Sequence, residues 1–541
     1  MDTYKPTLAI YGIQDCNLFQ TYSHDHNMCL MQDGEVLDFV QLERITRVKR
    51  DNSMNKHLDE LLRSKKWINK DFDLVFVDNV LGRAFINIQG NVRFEASIQS
   101  ELNKTPEEGH CFWYGKPHKA YVLNHELAHI GTCLPFFGAY KENSLLVHFD
   151  GGASQSCFSA WLYKGDELNL LEAHWDYKWL SSIFNANAFV FSVIGAKLKD
   201  QNSVPGKMMG LAGHGNYDIR IEQWFKHHNF FENIWRRPSL FFDRIKQDFA
   251  INIKSFDQHH YFIQNCIATL HEMFVRETIA IFRNLESKTN ADYLYYSGGS
   301  ALNIITNTRL IESKTFQDVF IPPCCEDSGL ALGAAAFVEW IKHGNVQMHS
   351  PYLNNWGIST SESPLVHTPI KEVADKLARN EILALWQGAG EVGPRALGNR
   401  SLLARADSKQ LMQKLSMNIK KREWYRPLAP IMLKKNAQYF TGKQNIHHLS
   451  RYMLLDFPIL DEHRLELEGA CNADGSARIQ CLFDRSQNPY MWDLLTELDS
   501  THGIKALINT SFNEQGEPIV HSISDAQKTA QKLGVELVIG F

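Results

Sequence analysis

Apolar runs that end in glycine turns dominate the hydrophobic pattern of the first half of the chain. Thr7-Leu-Ala-Ile-Tyr-Gly-Ile13 has the length of a strand. Runs at 28–32 and 35–40 flank Asp33-Gly34, a dipeptide typical of a two-residue β-hairpin turn. Residues 144–149 form another apolar run, which leads straight into Asp150-Gly-Gly. The pattern therefore predicts strands and hairpins that present glycine turns at their ends.

An apolar run that ends in a glycine turn also occurs later in the chain, next to a helical pattern. Tyr293-Leu-Tyr-Tyr-Ser-Gly-Gly299 ends in a glycine pair, and a helical pattern follows over 301–310. Apolar residues at three- and four-residue spacing predict helices within 238–290, and small residues predict another over 328–337. Repeated strand, glycine turn and helix indicate an α/β fold with ligands at strand ends. No internal repeat of fixed period is visible.

The pattern breaks between residues 344 and 367, which lose periodicity and collect Ser, Pro, Asn and Gly. A second α/β unit follows, with a helix from Ile370 and a strand at Ile382-Leu-Ala-Leu-Trp386. We therefore predict a first domain at 1–345, a linker at 346–367 and a second domain at 368–541.

Composition narrows the class of protein. The chain has 541 residues, too many for one core, with 44% hydrophobic and 22% charged residues, as in ordinary globular enzymes. A net charge of −5 without a basic stripe disfavours nucleic-acid binding. The longest apolar run, at 330–338, is shorter than the ~20 residues that span a bilayer. We expect no membrane partner.

The N-terminal residues and the cysteines indicate a cellular compartment. The first eight residues carry Asp2 and no sustained apolar core, so they do not resemble a secretory signal. The ten cysteines include no Cys-x-x-Cys pair, which favours reduced thiols. We expect a cytoplasmic protein.

His125-Glu-Leu-Ala-His129 places two imidazoles four residues apart, on one face if the segment is helical. One metal ion could bridge them, and Asp150 and Asp327 could add carboxylates, a set that suits Fe(II), Mn(II) or Zn(II). The motif also matches the zinc-metalloprotease pattern, in which Glu126 would activate water. The alternative is a helix with two surface or hydrogen-bonded histidines that bind no metal.

Glycine pairs and arginines suggest nucleotide chemistry. Gly151-Gly152 and Gly298-Gly299 follow strands, where bare backbone can approach a phosphate, although such pairs also form ordinary turns. Their placement is typical of actin-like ATPase domains. The second half concentrates arginine, glycine and proline, and guanidinium groups bind phosphate bidentately. The cluster comprises 388–401, 420–430, 474–478 and 508–518. A solvated basic face is the alternative.

Two histidines precede the first hairpin. His24 and His26 lie in Tyr22-Ser-His-Asp-His, and histidine is the commonest general base near neutral pH. The sequence does not decide between them.

Together these segments resemble the carbamoyltransferase family typified by the nodulation-factor and tobramycin O-carbamoyltransferases. The match runs in family order from about residue 7 to residue 541, and its longest string is highly specific. The matching motifs include His24-Asp25, Glu43-Arg44-x-Thr46-Arg47, His125-x-x-x-His129, Asp150-Gly-Gly, Lys207-Met-Met-Gly-Leu-Ala212, Gly298-Gly-x-Ala-Leu-Asn303, Gly393-Pro-Arg-Ala-Leu-Gly-Asn-Arg-Ser401, Arg422-Glu-x-x-Arg426-Pro, Asp474-Gly-x-Ala-Arg478 and Asn509-Thr-Ser-Phe-Asn513.

The resemblance implies an actin-like first domain, similar to tRNA threonylcarbamoyl-transferring proteins, and a smaller YrdC-like α/β second domain. The second domain would join carbamoyl phosphate and ATP, with Mg²⁺, into carbamoyladenylate. The first, holding iron as Fe(II) or another divalent metal, would transfer the carbamoyl group to a hydroxyl of a small molecule, such as a natural product or sugar. A homodimer is possible, and the sequence leaves the oligomeric state open.

The resemblance also assigns residues to roles. His24 would be the acceptor base, with Arg395 catalytic. The proposed metal ligands are His125, His129, Asp150 and Asp327; the proposed carbamoyl phosphate and ATP ligands are Arg395, Arg426, Arg478 and Asn509; the proposed carbamoyladenylate ligands of the first domain are Lys49, Gly151, Gly152, Gly299 and Asn303.

Three alternatives remain. A zinc metalloprotease would rest on His125, Glu126 and His129 but leave the arginine cluster without a purpose. A non-catalytic actin-like protein would bind ATP without releasing pyrophosphate. Threonylcarbamoylation of tRNA is disfavoured by the net negative charge and the absence of a basic stripe. The sequence departs from the family at His26-Asn27-Met28, where small residues are usual, so the acceptor stays open.

Overall fold

A computed structural model describes residues 5–12, 23–78, 83–97, 102–183, 188–230, 237–344, 346–358 and 367–540. Within them, the strands form three large sheets and one two-stranded ribbon. The strands are β1 (Thr7–Tyr11), β2 (Asn27–Gln32), β3 (Glu35–Gln41), β4 (Asp73–Val77), β5 (Ala84–Ile86), β6 (Val92–Glu95), β7 (Glu107–Trp113), β8 (Lys116–Leu123), β9 (Ser144–Phe149), β10 (Phe158–Lys164), β11 (Glu167–His174), β12 (Tyr293–Ser297), β13 (Asp318–Phe320), β14 (Leu383–Trp386), β15 (Arg400–Arg405), β16 (Ala429–Leu433), β17 (Phe457–Pro458), β18 (Ser476–Ala477), β19 (Gln480–Leu482), β20 (Ala506–Ser511) and β21 (Glu536–Ile539).

Helices cover the sheets and connect their strands. They are α1 (Leu42–Thr46), α2 (Met54–Ser64), α3 (His125–Gly131), α4 (Leu134–Phe137), α5 (Lys178–Ser182), α6 (Ala188–Ile194), α7 (Val204–Ala212), α8 (Ile219–His227), α9 (Pro238–Phe249), α10 (Tyr261–Thr289), α11 (Ile304–Glu312), α12 (Leu330–His343), α13 (Ile370–Ala378), α14 (Lys409–Gln413), α15 (Lys434–Thr441), α16 (Pro489–His502) and α17 (Ile523–Leu533).

The first sheet has the strand order β3-β2-β1-β4-β8-β7-β6-β5. Every residue of β1 is buried, which suits a strand between two neighbours. It pairs antiparallel with β2 and parallel with β4. Asp33 and Gly34 form the turn between β2 and β3 with φ values of 53° and 79°, so the predicted hairpin is confirmed.

The second sheet repeats the core of the first. Its order, β11-β10-β9-β12-β13, matches β3-β2-β1-β4-β8: three antiparallel strands in sequence, then two parallel ones. Two such sheets are the architecture expected of the actin-like class, and that fold is confirmed. The repeat has no fixed sequence period because α5–α10 separate β11 from β12, whereas only α1 and α2 separate β3 from β4.

Two helices lie between these sheets and touch closely. A β-carbon added to Gly131 in α3 would lie 2.3 Å from the carbonyl oxygen of Gly333 in α12. One added to Gly333 would lie 2.1 Å from the carbonyl oxygen of Ala128. Because both positions are glycine, the backbones can approach, and the N-terminus of α12 reaches the side chains of α3.

The third sheet has the order β19-β16-β20-β15-β14-β21 and mixes parallel and antiparallel pairs. The helix predicted from residue 370 is α13, and the strand predicted at 382–386 is β14. The second half is therefore an α/β unit, as expected. The exact division into 1–345, 346–367 and 368–541 stays a prediction.

The described part of the predicted linker, 346–358, is not a loose connection. Asn354 is fully buried and forms bridges with Phe39 on one side and Gly390 on the other. Its side chain donates to Gln41 Oε1 at 2.5 Å and to the carbonyl of Glu391 at 2.7 Å. This segment therefore joins the first sheet to the second half by hydrogen bonds. Residues 359–366 lie outside the described ranges.

Among the described residues, none of the helices combines the length and apolarity needed to cross a membrane. The nine cysteines in the described ranges carry free thiols, and all except Cys471 are buried. Cys16 and the end of the first predicted strand, Ile13, lie outside those ranges.

Candidate active site

His125 and His129 face each other across the first turn of α3. Asp78 fixes the start of this helix by accepting the N–H of His125 at 3.1 Å. The two Nε2 atoms are 3.0 Å apart, and Asp327 Oδ1 lies 3.5 Å from one and 3.4 Å from the other. All three side chains are buried. Two imidazole nitrogens and one carboxylate oxygen converging on one point fit a divalent transition metal.

The fourth predicted ligand, Asp150, lies at the edge of this cluster. Its Oδ2 is 3.8 Å from His129 Nε2, and its two oxygens accept the N–H groups of Gly151 and Gly299. Asp150 therefore ties the two glycine turns together beside the histidines. A β-carbon on Gly298, which has a φ of 103°, would lie 2.3 Å from the carbonyl oxygen of Phe149, so only glycine allows this approach.

The sequence did not identify three further residues that lie beside the cluster. Tyr11, at the end of β1, donates its hydroxyl to Asp327 Oδ2 at 3.0 Å, and Asn27 donates to the carbonyl of Asp327 at 2.9 Å. His148 is fully buried with its ring stacked on His129, centroid to centroid 5.0 Å. Burial lowers the pKa of His148 well below its usual value. For His148 the signal was its position two residues before Asp150.

His24 faces the cluster, whereas His26 lies behind it. His24 Nδ1 is 2.9 Å from Asp25 Oδ2 and 3.7 Å from Asp327 Oδ2. Burial by itself would lower the pKa of His24, but these carboxylates outweigh it and raise the pKa to about 9. This environment therefore favours the protonated ring of His24 at neutral pH.

His26 is unsuited to be a base. It is fully buried, and its Nε2 is 2.6 Å from Ser23 Oγ, while its Nδ1 accepts the N–H of Met54 at 3.3 Å. Burial lowers its pKa to about 4. Of the two histidines the sequence left open, only His24 lies beside Asp327.

Glu126 does not face the histidine pair as a protease base would. Its Oε1 accepts the N–H groups of Gln155 at 2.7 Å and Ser156 at 3.1 Å, and the side chain is fully buried. Glu126 thus holds the turn that follows Asp150. The carboxylate that converges on His125 and His129 is that of Asp327 and not that of Glu126, so the protease alternative finds no support.

The remaining first-domain residues predicted to bind carbamoyladenylate are only partly brought together. Gly151, Gly152 and Gly299 meet around Asp150. The Oδ1 of Asn303 caps α11 by accepting the N–H of Thr306 at 3.1 Å, so this side chain is already engaged. Lys49 lies elsewhere, in the wall of the large cavity.

That cavity, of about 1610 Å³, lies between the halves of the chain. The predicted phosphate ligands Arg395, Arg426, Arg478 and Asn509 all line it, and so does Arg422. Burial and the neighbouring Arg426 and Arg395 lower the pKa of Arg422 to about 9. Burial and the nearby arginines also lower the pKa of Arg478. Crowded guanidinium groups gain stability when an anion enters, so the cavity suits phosphates.

Lys420 shapes this cavity from behind. Its buried Nζ donates to the carbonyl of Ser511 at 2.7 Å and to the carbonyl and Oδ1 of Asn513, both at 2.5 Å. Lys420 therefore fixes the Asn509–Asn513 motif against the loop that carries Arg422. Arg422 and Lys420 stood within a motif noted in the sequence but were not singled out, because spacing alone does not rank cations.

A second group of metal-binding residue types consists of Asp318, His447 and His448. Both Nε2 atoms approach Asp318 Oδ1, at 3.0 and 3.1 Å. The Nδ1 of His447, however, accepts the N–H of Leu449 at 3.3 Å, which places the ring proton on Nε2. This group is therefore a hydrogen-bonded contact between the two halves of the chain.

The fold and the site thus define an actin-like protein with a convergent His–His–Asp cluster and an arginine-lined cavity. Residues 116–336 match the family model "Carbamoyltransferase N-terminus", and residues 374–540 match "Carbamoyltransferase C-terminus". The chain belongs to the carbamoyltransferase family and is a transferase enzyme.

The chain is also similar to individual proteins, over different shares of its length. The chain is 25% identical to nodulation protein NolNO of Sinorhizobium fredii, over 97% of this chain and 79% of that protein. It is 34% identical to the 3'-hydroxymethylcephem-O-carbamoyltransferase of Amycolatopsis lactamdurans, over 46% of this chain and 48% of that protein. A solved structure of full-length HypF in the phosphate- and nucleotide-bound form has a TM-score of 0.33 and 14% identity, over 64% of this chain and 57% of that one.

Proposed function

We propose that the protein is an ATP-dependent O-carbamoyltransferase that works through carbamoyladenylate. The observation that carries this proposal is the cavity lined by Arg395, Arg422, Arg426 and Arg478 in a carbamoyltransferase. These four arginines are more cations than one phosphate group requires. Their number suits a site that receives both carbamoyl phosphate and the triphosphate of ATP with its Mg²⁺.

We propose two steps in the second domain. Water releases phosphate from carbamoyl phosphate and leaves carbamate. A carbamate oxygen then attacks the α-phosphorus of ATP, the bond to the β-phosphate breaks, and pyrophosphate leaves. Arg395, Arg426 and Arg478 bind the phosphoryl oxygens and stabilise their developing charge. Asn509 lines the same cavity from β20 and donates to the carbonyl of Ala396, next to Arg395.

The first domain is proposed to hold a divalent transition metal, Fe(II) being our expectation. Its ligands would be His125, His129 and Asp327, with Asp150 at the edge. A divalent cation held there would act as a Lewis acid toward a carbonyl oxygen. Four nitrogen and oxygen donors without a thiolate favour Fe(II) over a structural zinc site.

The chain's own groups supply the rest of the transfer. The glycine turns at Gly151, Gly152 and Gly299 carry no side chains, so the phosphate of carbamoyladenylate can approach the backbone beside Asp150. His24, in its neutral form, takes the proton of the acceptor hydroxyl as the hydroxyl oxygen attacks the carbamoyl carbon and AMP leaves. A cation held by Asp327 would offset the negative charge that otherwise keeps this ring protonated at neutral pH. The position of His24 beside Asp327 supports this role.

The proposed acceptor is a hydroxylated small molecule, a natural product or a sugar. The name of the Amycolatopsis relative, a 3'-hydroxymethylcephem-O-carbamoyltransferase, supports a hydroxyl on a small molecule. We propose no nucleic-acid or membrane partner and a cytoplasmic location.

The decisive test identifies the nucleotide product. Purified protein given carbamoyl phosphate and MgATP should release AMP and pyrophosphate, because the cavity is proposed to direct attack to the α-phosphate. Arg395→Ala should lower this rate by about 10²–10³, the cost of one charge-assisted contact in a closed site. Arg485→Ala, which breaks only an exposed ion pair with Asp493, should not change it. ADP as the sole nucleotide product would contradict adenylate formation.

A further inference from the structure

The motif Lys207-Met-Met-Gly-Leu-Ala212 matches the family, yet no role in the proposed chemistry falls to it. It forms most of α7, a first-domain helix. In the structure α7 contacts residues 420–427, here called the arginine loop because it carries Arg422 and Arg426. The motif therefore lies against the cavity where we place adenylate formation, in the other domain.

An ion pair joins α7 to the arginine loop. Lys207 Nζ lies 2.8 Å from Glu423 Oε1, and the other oxygen of Glu423, Oε2, lies 3.7 Å from Arg426 Nη1. Burial opposes ionisation of Glu423, but the hydrogen bond from Lys207, a backbone hydrogen bond and the charges of Lys207 and Arg426 together outweigh it and lower the pKa of the carboxyl. One charged carboxylate therefore links a first-domain lysine to a cavity arginine.

Close backbone packing and ring stacking also hold the arginine loop in place. A β-carbon on Gly210, one turn beyond Lys207, would lie 3.2 Å from the carbonyl oxygen of Tyr425 and 3.3 Å from Pro427 Cδ. The indole of Trp424 stacks on His259, with centroids 4.5 Å apart, and meets the edge of His214 at 4.7 Å. The arginine loop is thus supported by first-domain groups along most of its length.

We propose that α7 positions the arginine loop, with Lys207 acting through Glu423 on Arg426, so that carbamoyladenylate formation in the second domain depends on the first. Lys207 and Gly210 are positioning residues. The inference rests on the proposed function and adds to it a role for a motif that the proposed reaction does not use.

The first test uses carbamoyl phosphate-dependent exchange of labelled pyrophosphate into ATP by the full-length protein. Lys207→Met should lower kcat/KM at least tenfold, mainly through a higher KM for carbamoyl phosphate, because a shift of about 1 Å in a binding group can cost 10²-fold. Lys207→Arg keeps the charge and should restore most of the rate. Lys226→Met, which breaks a 2.8 Å ion pair with Glu222 elsewhere in the first domain, is the matched control and should leave exchange unchanged.

A pair of glycine variants tests the contact without removing a charge. Gly210→Ala favours the helix but pushes on the arginine loop, so exchange should fall severalfold while thermal unfolding stays at the wild-type temperature or above it. Gly206→Ala, in the same helix, places its β-carbon where nothing lies within 4 Å and should behave as wild type.

A double-mutant cycle separates positioning from direct binding. If Lys207 acts through Glu423, Lys207→Met and Glu423→Gln should lose no more together than the more damaging single variant does. Fully additive losses, or wild-type exchange by both Lys207→Met and Gly210→Ala, would overturn the inference. Absence of exchange in the wild-type protein would instead refute the proposed function.

Discussion

The environment of His24 is defined by two carboxylates, one from its neighbour Asp25 and one from Asp327. Sequence reasoning placed a histidine near the acceptor but gave no information about its charge. That charge depends on Asp327, which is 303 positions away along the chain and reaches His24 only through the fold. The protonation state of a buried histidine is therefore a property of its packing and cannot be read from its motif.

A His24 variant should separate the two half-reactions. His24→Asn should keep pyrophosphate exchange, because His24 is not among the residues that line the arginine cavity. It should lose carbamoyl transfer by about 10²–10⁴, the usual contribution of a general base. Transfer is measured with labelled carbamoyl phosphate and an extract of small-molecule hydroxyl compounds, and His26→Gln serves as the neighbouring comparison. Loss of exchange in a folded His24→Asn protein would place His24 in the adenylation step.

Site residues could be predicted where the residues that act together lie close to each other in the sequence. His125 and His129 lie on one helical turn, so four residues of sequence were enough to pair them. Tyr11 could not be found in this way, since its partner Asp327 lies 316 residues away. Asn303 was placed among the nucleotide ligands, but its side chain caps α11, a use that depends on where that helix begins.

Among the elements, the crossing of α3 and α12 determines the metal candidate site. Gly131 and Gly333 let the two backbones touch, and this brings Asp327, just before α12, to the histidines of α3. The ligand set is therefore assembled by helix packing and not by the motif His125-x-x-x-His129 alone.

Gly333→Ala should damage this crossing. The added methyl meets the carbonyl oxygen of Ala128, and neither backbone can move without disturbing the core between the sheets. We expect the free energy of unfolding to fall by about 1–3 kcal/mol, as for other overpacked cores. Metal content per chain should fall as well. Urea unfolding and elemental analysis measure the two effects, and Gly206→Ala is the control. A stable Gly333→Ala protein with unchanged metal content would contradict this account.

The sequence predicted elements better than their arrangement. Apolar runs next to glycine turns located β2, β3, β9 and β12, because strand length and turn chemistry are local. The helical pattern over 301–310 was placed well, although the structure begins with a 3-10 turn and α11 starts at Ile304. The duplicated strand order was invisible, because a pairing order involves residues hundreds of positions apart.

Across the whole molecule, one continuous apolar core includes residues of both halves, such as Phe149 and Phe274 from the first and Ala404 and Leu428 from the second. Buried apolar area shared in this way stabilises the contact between the halves. We therefore expect the two halves around the arginine cavity to unfold together.

A bound metal should stabilise the whole molecule. Protein purified without chelator should contain about one transition metal per chain, and the His125→Ala, His129→Ala double variant should lose it. Because a ligand that binds only the folded state adds about 2.7 kcal/mol at a concentration 100 times its Kd, removing the metal should lower Tm in a single transition. Elemental analysis and calorimetry test this. Equal metal content in the double variant would refute the ligand set.

Asn354 has a practical consequence for protein engineering. Its backbone and side chain serve residues of the first sheet and residues 390 and 391 at once, so the segment around it belongs to neither half. A chimera that combines the first half of this chain with the second half of a relative should keep 346–358 and its partners from one parent. A junction cut inside that segment would leave buried amide groups of both parents without hydrogen bonds, at about 1–3 kcal/mol for each.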